Sequence, residues 1–249
     1  MAAEFRYREI DSLRGLAVLL MVMVHAAAIW SPKLSTETSI LSYIVAGLGG
    51  LAAPLFVTIF GWGLIKSRSN NRSSIIKAMI LLILQILVNL SSPQLYQPLS
   101  PGILSLFAVL IILKPLIIKI TTSRTIFLLF WLFILLFYAV NNMLFNIQGE
   151  NNWDFRTNTE NLSMVISHLI LTGTYPVLPW ICYAVVGAFL GSSITEGGKT
   201  LPRNSTTLLI MIGMCYCLFT LIRSTVDGSI WAHPTPVSYT HLRAHETRP

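Results

Sequence analysis

What most constrains this chain is a succession of apolar runs, each long enough to cross a bilayer, with short polar segments between them. A crossing takes about 20 helical residues. Candidate spans fall at residues 13–30, 40–65, 75–90, 102–120, 125–140, 177–194 and 208–222. Hydrophobic residues make up 54% of the chain and charged ones 11%. Mean hydropathy is +0.68. So few charges could not cover the surface of a soluble domain of this size. In lipid the backbone must satisfy its own hydrogen bonds, which leaves helices or closed barrels. A barrel would show short alternating segments, and these runs do not alternate. The sequence therefore predicts an all-α polytopic bundle with about seven visible spans. The first run is followed by further spans and is read as one of them, not as a signal peptide.

Charge gives the predicted orientation. The chain carries a net charge of +7. Arg6 and Arg8 precede the first span, and Lys66, Arg68, Arg72 and Lys77 follow the second. Lys119 and Arg124, with Lys114 nearby, follow the fourth, and Lys199 and Arg203 follow the sixth. The alternate segments hold only Lys33, Arg156 and Arg223. This asymmetry predicts a cytoplasmic amino terminus and accounts for the positive charge without a nucleic-acid partner. The three cysteines, Cys182, Cys215 and Cys217, lie in apolar runs and lack the spacing of a redox or zinc pair. No metal-ligand cluster or phosphate-binding glycine loop stands out.

Residues 1–236 read as one membrane domain. Residues 237–249 break from its composition and resemble translated sequencing-adapter read-through, so they are expected to be non-native. His241 and His245 would then carry no chemistry, and the native chain would continue differently.

Two segments predict irregular helices. Gly47, Gly49, Gly50, Ala52, Ala53 and Pro54 form a small-residue stretch that interrupts the second span and permits either close helix approach or a broken helix beside a cavity. Residues 167–180 combine a short apolar stretch, Gly173, Pro176 and Pro179, the pattern of a half-inserted hairpin or an interfacial helix. Tyr175 and Trp180 there suit an interfacial aromatic belt. The loop at about 141–161 holds Glu150, Trp153, Asp154, Arg156 and Glu160, which either face a sugar or solvate the loop.

The first span carries the residues of most chemical interest. Arg14 and His25 are eleven positions apart. At about 100° and 1.5 Å per residue they share a face to within about 20° and lie about 16 Å apart along the axis. Ionisable groups inside a span are costly and mark function by default. Imidazole exchanges protons near neutrality, so His25 suits a general base; it could equally accept an acyl group itself. Arg14 suits phosphate, or could snorkel to lipid headgroups; His25 could likewise be a polar anchor near Trp30. Asp11, three residues before Arg14, is placed to pair with it. Gln85 and Asn89 share a face of the third span and should hydrogen-bond between helices. His168 is a further polar group, read as structural.

The stretch Ile10-Asp11-Ser12-Leu13-Arg14-Gly15-Leu16-Ala17, with Met21, Val22 and His25, resembles the opening of the transmembrane acyltransferases. That superfamily includes the heparan-α-glucosaminide N-acetyltransferase catalytic domain and bacterial membrane sugar O-acetyltransferases. The arginine, ten residues and histidine of the latter fall on Arg14 and His25. Ala53–Val57 with Gly61, and Gly173–Trp180 with Gly187 and Gly191, resemble the bacterial branch of the glucosaminide type. The similarity covers most of residues 6 to 222. It implies acyl transfer from acetyl-CoA or another acyl-CoA to an amine or hydroxyl of a sugar or glycan, in a bacterial cytoplasmic membrane. His25, Arg14 and Asp11 would be catalytic. Arg14, Arg6 and Arg8 would bind the donor's phosphates, and Pro54, Phe56, Tyr175 and Trp180 would line the substrate site. No metal is implied. The rival reading is a transporter or channel component, since glycine- and proline-broken spans also surround transported substrates.

Overall fold

The computed structural model describes residues 7–29, 40–67, 70–141, 147–149 and 153–193. Among them every regular element is helical: α1 (Arg8–Ile29), α2 (Ile40–Lys66), α3 (Asn71–Ser91), α4 (Ile103–Ile112), α5 (Lys114–Thr122), α6 (Arg124–Val140), α7 (Trp153–Thr157), α8 (Leu162–Ser167) and α9 (Val177–Ser193). A π-helical turn, His168–Thr172, continues α8. The described residues fall into two compact units, 7–59 and 60–193, with the boundary inside α2.

In the first unit α1 buries Ile10, Ala17 and Val24, a seven-residue repeat, with Leu20 beside it. This is one helical stripe. Leu20 and Val24 pack on Ala52 of α2, with Met23, Leu51 and Leu55 around them. The small side chain of Ala52 lets the helices approach. The expected interruption of the second span does not occur: α2 is continuous from Ile40 to Lys66 with Pro54 inside it. Proline removes one helical donor, which a spanning helix tolerates when local groups adjust. Thr58 Oγ1 donates to the Pro54 carbonyl at 2.8 Å in that turn.

In the second unit α3 packs on α4, and α9 packs on α4 and α5. Ala184, Val185 and Ala188 of α9 are fully buried. A Cβ on Gly61 of α2 would lie 2.1 Å from the Ala184 carbonyl oxygen, so only glycine permits this approach. Phe60 and Phe107 stack at 4.3 Å beside it.

The predicted span at 102–120 is bent by 65° between α4 and α5. Pro115 sits in the first turn of α5. It lacks a donor and its ring clashes with the carbonyl four residues back, which ends α4. Helices 162–172 and 177–192 meet at 46° across the Gly173–Pro176 segment, where the sequence predicts a break. A Cβ on Gly173 would fall 2.3 Å from the His168 carbonyl oxygen.

Among the described residues two helices, α2 from Leu48 and α3, are long and apolar enough to cross a membrane, or up to four if each bent pair is one crossing. The expected count of about seven is thus only partly reproduced. Four acidic or basic groups, Arg8, Glu9, Asp11 and Arg14, crowd the start of α1. The apolar stretch of α6, Arg124–Phe137, is short, and the predicted span at 208–222 lies outside the described residues. Outward-facing Ile76, Ile80, Ile83 and Leu87 on α3, and Leu128, Leu132 and Leu135 on α6, suit a lipid environment.

Candidate functional site

The α1 residues are placed by the stripe that packs the helix. At about 100° per residue, Arg14 and His25 lie about 40–100° round from Ile10, Ala17 and Val24, on the flank of the buried face. Arg14 is accordingly accessible, with 54% of its side chain exposed, and its Nη1 meets Asp11 Oδ1 at 3.1 Å. An exposed pair of this kind adds well under about 1 kcal/mol of stability. Its effect is to hold the guanidinium in one direction.

His25 is half-buried, and its Nδ1 lies 2.8 Å from the Met21 carbonyl oxygen. A carbonyl can only accept, so Nδ1 carries the hydrogen and donates it. In the neutral ring this leaves the lone pair on Nε2, the nitrogen available to take a proton or attack a carbonyl carbon.

Pro54 is buried and Phe56 half-buried on α2 in the same unit. Tyr175 and Trp180 belong to the second unit, where their rings meet edge to face at 5.1 Å and Trp180 continues to Tyr183 at 5.4 Å. Arg8 is exposed at the start of α1, and Arg6 lies outside the described residues. Cys215, Cys217, His241 and His245 lie outside them too, while Cys182 is a free, half-buried thiol.

The second unit holds a polar network around the α3–α4 connection. Gln85 Nε2 donates to Asn89 Oδ1 at 2.9 Å, and Asn89 Nδ2 donates to the carbonyls of Pro98 and Ser100. The backbone N–H of Leu104 donates to Gln85 Oε1. The predicted inter-element role of Gln85 and Asn89 is therefore met by backbone partners. Ser100 Oγ donates to the Thr157 carbonyl, Thr174 Oγ1 to that of Pro101, and Arg156 Nη1 to that of Gly173. Trp153 Nε1 donates to the Leu95 carbonyl.

Trp153 and Arg156 thus staple non-helical backbone, so at these two residues the loop is more than a solvated surface. Buried non-helical segments need such partners. Burial lowers the Arg156 guanidinium below its ordinary value and raises the Tyr96 phenol above its own. His168 is fully buried, with Nδ1 2.7 Å from Thr172 Oγ1 and its ring edge-on to Phe155, in keeping with a structural role. Sequence reasoning missed Ser100, Thr157 and Thr174. The signal was the run of prolines and glycine at 93–102, which had to find hydrogen-bond partners outside a helix.

Among the described residues no group of three or more His, Cys, Asp or Glu side chains could hold a metal ion. No match emerges among curated proteins or among solved structures. The family model described as heparan-alpha-glucosaminide N-acetyltransferase, catalytic, matches residues 6–220. That stretch takes in α1 with Asp11, Arg14 and His25, both bent helix pairs and the polar network, and the chain belongs to this family.

Proposed function

We propose that this chain is an integral membrane acyltransferase that takes an acetyl or other acyl group from acyl-CoA on the cytoplasmic side. It passes that group to an amine or hydroxyl of a sugar or glycan across the bilayer of a bacterial cytoplasmic membrane. The observation that carries the reading is the His25 tautomer, Nδ1–H held on the Met21 carbonyl, on the α1 face that also bears Arg14. The family match supports the class of reaction.

In the direct route His25 Nε2 takes the proton of the acceptor O–H or N–H as that atom attacks the thioester carbonyl. The carbon–sulfur bond then breaks and the CoA thiolate leaves, to be protonated in turn. In the two-step route Nε2 attacks the thioester carbonyl, the carbon–sulfur bond breaks and the CoA thiolate leaves; the acceptor then attacks the acyl-imidazole, the N–acyl bond breaks to free Nε2, and the proton lost by the acceptor passes through solvent to the thiolate. Either route needs an unprotonated Nε2. Arg14, directed by Asp11, faces the donor's negative charge, and Arg8 and Arg6 extend that basic end. Pro54 and Phe56 are assigned to substrate binding within the first unit; within the second, the paired rings of Tyr175 and Trp180 offer aromatic surface of the kind that stacks on a sugar ring.

The test is thiol release from acetyl-CoA by purified chain in the presence of amino sugars and glycans. Acceptor-dependent release that His25→Ala and Arg14→Ala both abolish is the expected result. Release surviving both substitutions, or acceptor movement without acyl-CoA consumption, overturns the proposal.

A further inference from the structure

The two histidines among the described residues meet different partners, and the difference sets what each ring can do. His25 faces a carbonyl, which only accepts and so holds one tautomer. His168 Nδ1 faces the Thr172 hydroxyl at 2.7 Å, and that hydroxyl meets Ser167 Oγ at 3.2 Å. A hydroxyl both donates and accepts, so this chain of three groups can run in either direction. In one direction Nδ1–H donates to Thr172, Thr172 donates to Ser167, and Nε2 keeps its lone pair. In the other the hydrogens point back and Nε2 carries the proton. The π turn gathers the three: its i→i+5 bond, from the Gly173 N–H to the His168 carbonyl, is 2.9 Å. Such turns are rare and frequent at functional sites.

Nε2 is the loose end of the chain. His168 is 1% exposed. Among the described residues of the unit spanning 60–193, its Nε2 is the one buried side-chain nitrogen or oxygen without a hydrogen bond. An orphan of this kind costs about 1–3 kcal/mol. Buried Gln85, Asn89, Ser100 and Thr174 of the same unit all have partners. The Asn158 backbone lies near the ring without closing a hydrogen bond to Nε2. Phe155, Asn158 and Ser167 are each half-exposed, so at these neighbours the ring lies one residue below the surface. Ser167 is therefore the outer end of the hydroxyl chain.

The nearby charge is Arg156, which donates to the Gly173 carbonyl at 3.0 Å. Gly173 packs on His168: a Cβ on it would lie 3.2 Å from His168 Cβ. A second positive charge beside that guanidinium, out of water, is costly. A ring that gains a proton at Nε2 as it loses one at Nδ1 stays neutral and avoids the cost.

We propose that His168 Nε2 binds a hydroxyl group, and that the Thr172–Ser167 chain lets it do so as either acceptor or donor. The change of role balances. Nδ1 gives its proton to Thr172, Thr172 passes its own to Ser167, and Ser167 releases one to solvent. The bound hydroxyl hands its proton to Nε2 and recovers one from solvent. Two sources carry such a hydroxyl: a water molecule and a sugar. The sugar deepens the acyl-transfer reading and rests on it; the water does not.

The experiment uses the full chain in nanodiscs with 15N-labelled histidine rings and reads binding without turnover. His168→Gln assigns the His168 signals by their loss. Glucose is the probe, with permethylated glucose as the control that lacks hydroxyls. The unaltered chain should show both tautomers of His168 in exchange. Ser167→Ala, at a half-exposed position, and Thr172→Val should each slow that exchange by about tenfold, the scale of one lost hydrogen bond, and Thr172→Ser should restore it.

A saturable response of Nε2 to glucose, absent with the permethylated sugar, identifies the sugar hydroxyl. Contact of Nε2 with water that glucose leaves unchanged identifies water. A single fixed tautomer whose Nε2 responds to neither, or exchange untouched by Ser167→Ala, overturns the proposal. Repeating the titration in His25→Ala separates the two readings: the His168 response should persist there even though transfer is lost.

Discussion

At the scale of single residues, the account turns on one hydrogen. The Met21 carbonyl fixes His25 as the Nδ1–H tautomer and leaves Nε2 for the proposed chemistry. Replacing His25 by alanine should lower turnover by about a hundredfold or more, as loss of a general base does. Asp11→Asn, which keeps shape but weakens the ion pair with Arg14, should mainly raise the KM for acyl-CoA. Steady-state kinetics with varied donor checks both. Tyr96 offers a pH-dependent readout. Burial raises its folded pKa above the ordinary 10.0. The unfolded phenol therefore ionises first, so the stability this group contributes is full below pH 10 and drains away above it. Unfolding midpoints measured against alkaline pH should fall, and Tyr96→Phe should flatten that fall. The pair Asp11 and Arg14 was legible from its three-residue spacing. The partners of Gln85 and Asn89 were not, because they are backbone carbonyls of an irregular loop.

At the scale of elements, hydrophobic run length located α2, α3 and α9 closely, because period and length alone define a helix in lipid. Run length could not show where helices bend. Pro54 looked like a break yet is carried inside α2, whereas Pro115, hidden in an apolar run, accompanies a 65° turn. What differs is the local setting. Pro54 is buried in a turn that a Thr58 hydroxyl supports, and Pro115 occupies the first turn of a new helix, where proline fits. Close packing gives a test at this scale. Gly61→Ala would drive a methyl into the Ala184 carbonyl oxygen and should destabilise by about 1–3 kcal/mol. Gly15→Ala meets nothing within 4 Å and should be neutral or stabilise by up to about 1 kcal/mol. Asn89→Leu strands the buried carbonyl of Ser100 and the Gln85 amide and removes a donor from the Pro98 carbonyl, and should cost about 1–3 kcal/mol. Denaturant unfolding in a fixed detergent orders the three.

At the scale of the molecule, composition was enough to give a helical membrane protein, and the family match over residues 6–220 gives its chemical class. The two units divide the residues proposed for function: those of α1 with Pro54 and Phe56 in one, Tyr175 and Trp180 in the other. No periodicity in the sequence marks that division, since its boundary falls within an unbroken helix. The most direct test of the whole account is sided. Chain is reconstituted in vesicles, labelled acetyl-CoA is supplied only at the face bearing the basic loops, and glycan acceptor is enclosed at the other. Labelled acetyl-glycan should accumulate inside, and His25→Ala vesicles should form none. Equal labelling by the His25→Ala chain, or labelling that needs donor and acceptor on the same side, would contradict it.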